Sequence, residues 1–467
     1  MNPTALEVDY LIVGAGAMGM AFADTLVAET DATVAIVDRY DQPGGHWTVA
    51  YPFVRLHQPS AFYGVNSREL GSGAIDQDGW NAGLHELASA SEILAYFDQV
   101  MRKTLLPTGR VSYFPKSFYD GPDPQRPDVQ RFHSIVSGTS FEVTVKRRTV
   151  DATYMNVTVP AMVPPAYEVA PGVRLITPNQ LPTLHDRPSH YTVVGAGKTG
   201  IDACLWLLGH GTDPSDITWI MPRDSWLLDR AHWQPGNLGG EPDAARLKAV
   251  ADAHTVQDLF TRLEASGLLL RLSPDIEPTA YRCATVARAE LAQLRRIDDI
   301  VRHGRVKRID ENAVELDQTT LPAKPGTLYI DCTADGLERR PAVPVFDHTR
   351  ITLQAVVPCQ QVFSAALTAH VEAAYTDEAT KNTLCAPAQH PNSALDWIQF
   401  FTDIQERLRR WTADPALLEW LSACRLMGRR IPELSPEQRT ALLPMFQAQK
   451  LKLEELRQQA EAVAAVN

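Results

Sequence analysis

Two copies of one glycine signature constrain this chain more than any other feature: Val13-Gly14-Ala15-Gly16-Ala17-Met18-Gly19 and Val194-Gly195-Ala196-Gly197-Lys198-Thr199-Gly200. Each comes after an apolar run suited to a strand, residues 10–13 and 191–194, and opens an apolar helical stretch. That is the context a dinucleotide-binding turn requires. The first glycine permits the tight strand-to-helix reversal, the second lets backbone approach a pyrophosphate, and the third lets the helix pack on its strand. N–H groups at the helix N-terminus then face the phosphate charge. Two nucleotides are implied, one at Gly14, Gly16 and Gly19, the other at Gly195, Gly197, Lys198, Thr199 and Gly200.

The residues downstream of each signature separate the ligands. After the first, a helix over 18–28 leads to a strand over 33–37 that ends at Asp38 beside Arg39. This is about the spacing of a carboxylate that accepts ribose hydroxyls. After the second, the strand 217–220 ends in Met221-Pro222-Arg223 with no acid at its tip. A planar guanidinium there suits a ribose 2′-phosphate, and Arg230 is a second candidate for the same anion. The first site therefore reads as FAD and the second as NADPH; the plain alternative for Arg223 is a solvated surface charge. Lys198-Thr199 does not make a phosphate loop of the kinase type, because Thr192 stands where that motif needs glycine.

The formal net charge of −12 argues against nucleic acid and anionic membranes as partners. No basic segment precedes a secretory apolar run and no stretch reaches membrane-spanning length, so a cytoplasmic protein is expected. The six cysteines are scattered, with no C-x-x-C pair and no ligand spacing for a metal. None precedes position 204, so the close cysteine pair of a disulfide reductase is not expected either.

The pattern along the chain is α/β, with two Rossmann-type dinucleotide-binding domains, the NADPH domain inserted into the FAD domain, and a helical C-terminal region. The expected boundaries are 1–155 for the first part of the FAD domain and 156–188 for a proline-rich connector. The NADP domain occupies 189–330, the return of the FAD domain 331–390, and the C-terminal helices 391–467. An amphipathic helix is expected over 91–102 and an alternating strand over 140–146. The Trp226 to Trp233 stretch reads as a packed aromatic loop, and the basic run from Arg295 to Arg308 as a solvated face. Helices are expected over 360–375, 392–410 and 436–464, with Trp397, Phe400 and Phe401 packing on the flavin domain. A homodimer contact through these helices stays open.

Further segments carry a family likeness. Gly44-Gly45-His46-Trp47 lies beyond the first signature, and Tyr51-Pro52-Phe53-Val54-Arg55-Leu56-His57-Gln58-Pro59-Ser60 comes after it. Val150-Asp151-Ala152-Thr153-Tyr154 and Asp331-Cys332-Thr333-Ala334-Asp335-Gly336 are two similar turns. In these residues the chain resembles the class B flavoprotein monooxygenases, which comprise flavin-containing monooxygenases, Baeyer-Villiger monooxygenases and N-hydroxylases. The resemblance covers about half the chain, near 8–60 and 150–336. It implies FAD- and NADPH-dependent oxygenation of a small organic substrate by dioxygen through a C4a-(hydro)peroxyflavin. It adds Gly45, His46, Trp47, Thr333 and Ala334 to the cofactor residues, and Arg55, His57 and Gln58 as the flavin-facing catalytic group. His57 would place a proton or hydrogen bond at the oxygen adduct, Gln58 would hold the flavin edge or NADP⁺, and Arg55 would steady negative charge.

Two departures stand beside the matches. His57 occupies the place where the Baeyer-Villiger stretch carries an acid, and the segment 167–178 lacks the family's histidine before the second signature. These argue against ordinary ketone-to-ester chemistry. Two further readings remain: an NADPH oxidase or flavin-linked dehydrogenase that inserts no oxygen, and a non-catalytic NADP(H)-sensing flavoprotein.

Overall fold

The computed structural model describes residues 3–236, 238, 242–336, 338–428 and 436–466. Strand β1 (Thr4–Val13) passes through the first glycine turn into helix α1 (Ala17–Glu29) and returns as β2 (Val34–Val37). The two strands pair in parallel with Val13 opposite Val37, and all four residues of β2 are buried. Such continuous apolar runs mark strands covered on both faces. Helix α2 (Ala90–Val100) starts where Ser89 and Glu92 exchange hydrogen bonds between side chain and backbone, a reciprocal cap that satisfies two otherwise orphaned donors. Strand β3 (Val111–Phe114) lies parallel beside β2. A hairpin, β4 (Ser117–Asp123) and β5 (Arg126–Ser134), then leads to β6 (Ser140–Asp151), which turns back along β1 in parallel.

The middle of the chain builds a second parallel sheet. It uses β7 (Leu175–Ile176), β8 (His190–Val194), helix α3 (Lys198–Gly209), β9 (Ile217–Ile220), β12 (Ile300–Val301) and β13 (Thr327–Asp331), in spatial order β7-β13-β8-β9-β12. Between β9 and β12 the chain makes a separate small sheet from β10 (Ser225–Asp229) and β11 (Ala280–Val286). The stretch read as a proline-rich connector thus supplies an edge strand, and Pro171 and Pro178 flank it at positions where no ladder N–H is needed. The segment 226–233, expected as a loop, begins inside β10 with Trp226 fully buried, because its apolar residues pair with β11.

After β13 the chain returns to the first sheet through β14 (Phe346–Asp347) and β15 (Arg350–Thr352), the latter parallel to β6. Helix α4 (Gln361–Ala374) packs on α1. Both helices are apolar on most of their circumference, as befits elements enclosed by the same core. Helix α5 (Ala394–Ala413), capped by Ser393, carries Trp397 and Phe401. These do not pack on the first unit as expected: Trp397 meets Phe260 at 5.4 Å and Tyr281 at 6.4 Å between ring centroids, inside the core that also holds Trp226. A last helix, α6 (Pro436–Val466), contributes Leu453 and Leu456 to this core.

One arginine anchors the loop after the first signature. Arg425 donates to the carbonyls of Ala61 at 2.7 Å, Tyr63 at 3.0 Å and Arg68 at 2.6 Å, and also to that of Val65. Removing it strands several sheltered acceptors. Arg425→Ala is therefore expected to cost about 2–3 kcal/mol in denaturant unfolding, with unchanged m-value.

Candidate active site

Both glycine turns open into one cavity of about 1050 Å³, lined by Gly14, Gly16 and Arg39 of the first unit and by Gly197, Lys198 and Thr199 of the second. This is just above the range of about 300–1,000 Å³ that small-molecule sites span. The three glycines of each turn divide their roles as the chemistry requires. Gly14 and Gly195 sit at φ of 102° and 128°, a region that side chains avoid. A Cβ on Gly19 would lie 2.0 Å from the Gly14 carbonyl oxygen, and one on Gly200 would lie 2.1 Å from that of Gly195. A Cβ on Gly197 would meet nothing within 4 Å. The second turn therefore has open space where a pyrophosphate would approach. No side chain caps α1 or α3 at Gly16 or Gly197, so their first N–H groups are available to an anion.

The two units repeat a second detail. Val13 pairs with Asp151 across β1 and β6, and Val194 pairs with Asp331 across β8 and β13. Asp151 accepts from the Thr153 N–H at 2.9 Å and hydroxyl at 2.7 Å; Asp331 accepts from the Thr333 N–H at 3.2 Å and hydroxyl at 2.6 Å. These turns press on the glycine loops: a Cβ at Gly14 would reach Thr153 at 3.0 Å, and one at Gly195 would reach the Cys332 carbonyl at 2.6 Å. Thr333 thus braces its loop, while Ala334 lines the cavity. Tyr167, from the segment that lacks the histidine, donates to Asp331 at 3.2 Å and supports the same turn.

Asp38 is buried at the tip of β2, where it accepts the Ala15 N–H at 2.5 Å and the Tyr40 N–H at 2.7 Å. Its carboxylate holds the glycine loop against the sheet and still lines the cavity. Burial pushes its pKa up, against the pull of those two backbone donors. Gly45 comes so close to Gly16 that a Cβ there would lie 2.9 Å from the Gly16 Cα. Trp47 donates its ring N–H to the Tyr63 hydroxyl at 2.7 Å. His46 has its pKa lowered to about 4 by burial, so it is a neutral ring in the cavity wall.

Arg55, His57 and Gln58 all line the cavity, but in different states. Arg55 is exposed and donates to the Leu87 carbonyl at 2.9 Å. Gln58 accepts from the Gln360 amide at 3.4 Å. His57 Nδ1 accepts the Thr285 N–H at 3.4 Å. Burial, reinforced by the charges of Lys198 and Arg230, lowers its pKa to about 3. The expected proton carrier is therefore a neutral imidazole at neutral pH, limited to hydrogen bonding. Next to it, the Tyr51 hydroxyl donates to Asp202 at 2.7 Å, and Asp202 also pairs with Lys198, so a residue of the first unit grips the helix of the second.

Arg223 stands exposed in the cavity wall just past β9, where its guanidinium donates to Asn392 Oδ1 at 3.2 Å. Arg282 on β11 donates to the same oxygen at 2.9 Å. Arg282 is held below its ordinary pKa, first by desolvation and then, against the pull of Asp335, by the neighbouring Arg223, Arg305 and Arg339. A cluster of cations that repel one another is a place for an anion. Sequence reasoning missed Arg282 because it lies far along the chain from Arg223, and dismissed Arg305, which lines the cavity. Arg230 is not part of this cluster: it is buried, bonded to the His57 carbonyl at 3.0 Å and Asn81 at 2.9 Å, and paired with Glu290 at 2.9 Å. It does not serve as the second candidate for the 2′-phosphate, because its donors are spent on the protein.

The scattered cysteines hold one pair that their spacing does not announce. Cys283 and Cys359, 76 residues apart, are joined as a disulfide, and both line the cavity. The other four cysteines are buried and free. No local pattern could have revealed the pair, since β11 and the segment before α4 meet only in the folded molecule. Among the described residues no group of three or more His, Cys, Asp or Glu is placed to hold a metal ion, and no helix is long and apolar enough to cross a membrane.

Fold and cavity together define an α/β protein with two Rossmann-type nucleotide-binding turns facing one chamber. The chain belongs to the family of the uncharacterised protein Rv2000 of Mycobacterium tuberculosis, to which it is 55% identical over 450 residues, 95% of this chain and 82% of that one. The family model for an NAD(P)-binding Rossmann-like domain matches residues 12–57. A ferredoxin–NADP reductase of Salinispora tropica is 34% identical over 92 residues, 20% of this chain and 28% of the reductase. An open crystal structure of cyclohexanone monooxygenase superposes with a TM-score of 0.49 at 12% identity, covering 79% of this chain and 88% of that one.

Proposed function

We propose that the protein is an FAD- and NADPH-dependent oxidoreductase of the class B monooxygenase type, which oxygenates a small organic substrate at nitrogen, sulfur or carbon with dioxygen. The observation that carries this reading is the single cavity onto which both glycine turns open. A flavin bound there would take a hydride from NADPH and supply the electrons that activate dioxygen.

The residues fit both nucleotides. The first turn would hold FAD, the uncapped start of α1 offering N–H groups to its pyrophosphate and Asp38 and Arg39 offering polar groups to its ribose. The open Gly197 turn would hold NADPH, and Arg223 and Arg282 would supply the charges for its extra phosphate. The neutral His57 donates or accepts a hydrogen bond without adding charge beside the reacting atoms. Gln58 and Gln360 hold that wall together, and Lys198, tied to Asp202, offers a fixed positive charge next to the second turn.

Anaerobic addition of NADPH to the purified yellow protein is expected to bleach its flavin absorbance, and a panel of amines, sulfides and ketones to include one that raises coupled NADPH and oxygen consumption. Protein that retains no FAD when loaded with it would overturn the reading. Bleaching followed by oxygen uptake that yields only hydrogen peroxide with every compound would leave an oxidase instead.

A further inference from the structure

We propose that Cys283 and Cys359 are a redox couple that NADPH reduces inside the nucleotide cavity, an activity separate from oxygenation. This rests on the reading of the cavity as the FAD and NADPH site.

The disulfide lies in the wall of the chamber. Thr285, two residues beyond Cys283 on β11, donates its N–H to His57. Gln360, next to Cys359, donates to Gln58. The two sulfurs are thus flanked by residues that touch the His57-Gln58 wall. His390, which also lines the cavity, sits with Nδ1 3.8 Å from the Cys359 sulfur, and Gln361 holds its other nitrogen at 3.1 Å. Arg282 adjoins Cys283 in the chain and stands in the cationic cluster, which favours a thiolate over a thiol. Both cysteines adopt left-handed backbone, at φ of 55° and 64°. Non-glycine residues do so at a cost, and such positions gather at functional sites. The remaining cysteines differ: all four are buried and free, with thiols pushed up by burial, to about 12 for Cys385 and about 11 for Cys424, and this holds for Cys332 too although it lines the cavity.

The reaction balances simply. The S–S bond breaks, and the pair takes up two electrons and two protons to become two thiols. NADPH gives the electrons and one proton as it becomes NADP⁺, and solvent gives the other proton. The tie between β11 and the segment leading into α4 is released in the same step.

The test uses the FAD-loaded protein, oxidised in air and then treated anaerobically with NADPH. Samples are quenched in acid, unfolded, alkylated and weighed by intact-mass spectrometry, while the visible spectrum is followed in parallel. Four alkylated cysteines of the six are expected before NADPH and all six after it. Full reduction is expected to consume about two equivalents of NADPH per flavin rather than about one. Cys283→Ser should show the same alkylation count with and without NADPH and a return to about one equivalent. Six alkylated cysteines before NADPH would overturn the couple, as would four afterwards in protein whose flavin has bleached; the cavity reading survives either result. A flavin that NADPH does not bleach would overturn the cavity reading and the couple with it.

Discussion

Gly19→Ala is expected to abolish flavin retention, and Gly200→Ala to leave the protein yellow but unable to be reduced by NADPH. The two substitutions are chemically identical and sit in equivalent turns, so the contrast reads out which nucleotide each turn holds. In each case the new methyl would fall 2.0 or 2.1 Å from a carbonyl oxygen of the same turn. Alanine gains about 0.5–1 kcal/mol over glycine in a helix interior. Overpacking against backbone costs about 1–3 kcal/mol or more and displaces the helix start by a distance that a pyrophosphate bound to backbone N–H groups cannot tolerate. The clash outweighs the gain. Flavin-to-protein ratio after gel filtration checks the first variant, and anaerobic bleaching by NADPH checks the second. A yellow Gly19→Ala protein with a normal spectrum would refute the assignment of the first turn.

Arg223→Ala and Arg282→Ala should each weaken NADPH by about 10- to 100-fold while changing NADH by less than about threefold, because hydrogen bonds to a charged partner contribute about 1.5–3 kcal/mol. The pair share Asn392 and would face one phosphate, so the double variant should fall short of the sum of the single losses. KM for each dinucleotide, measured by flavin reduction or by product formation, decides the matter. Equal losses for NADPH and NADH would show that these arginines serve the cavity wall and not the extra phosphate.

The parts of the molecule that sequence made legible are those written in local pattern. Glycine spacing between an apolar strand and an apolar helix specifies a turn, and both turns form where expected. The return strands were legible for the same reason, since Asp151 and Asp331 each precede a threonine that closes the same small turn. The hidden parts depend on which distant segments meet. Arg230 and Arg223 look alike in sequence, yet one is sealed against Glu290 and the other stands at the cavity wall. His57 titrates below its usual range because the folded protein removes water from around it and brings the distant charges of Lys198 and Arg230 near. Trp397 turned toward Phe260 and Tyr281 rather than the first unit because a helix pattern fixes which face is apolar and leaves its partner open.

The contact between Tyr51 and Asp202 bears on the order in which the protein fills. Tyr51 continues the chain from Gly45, which lies against Gly16, and its hydroxyl holds the carboxylate that pairs with Lys198 beside the second turn. Displacing the first loop therefore pulls on the second through one short mechanical linkage. An empty first pocket would slacken that linkage, so seating the flavin should tighten the grip on the dinucleotide, and by thermodynamic reciprocity the dinucleotide should slow flavin escape.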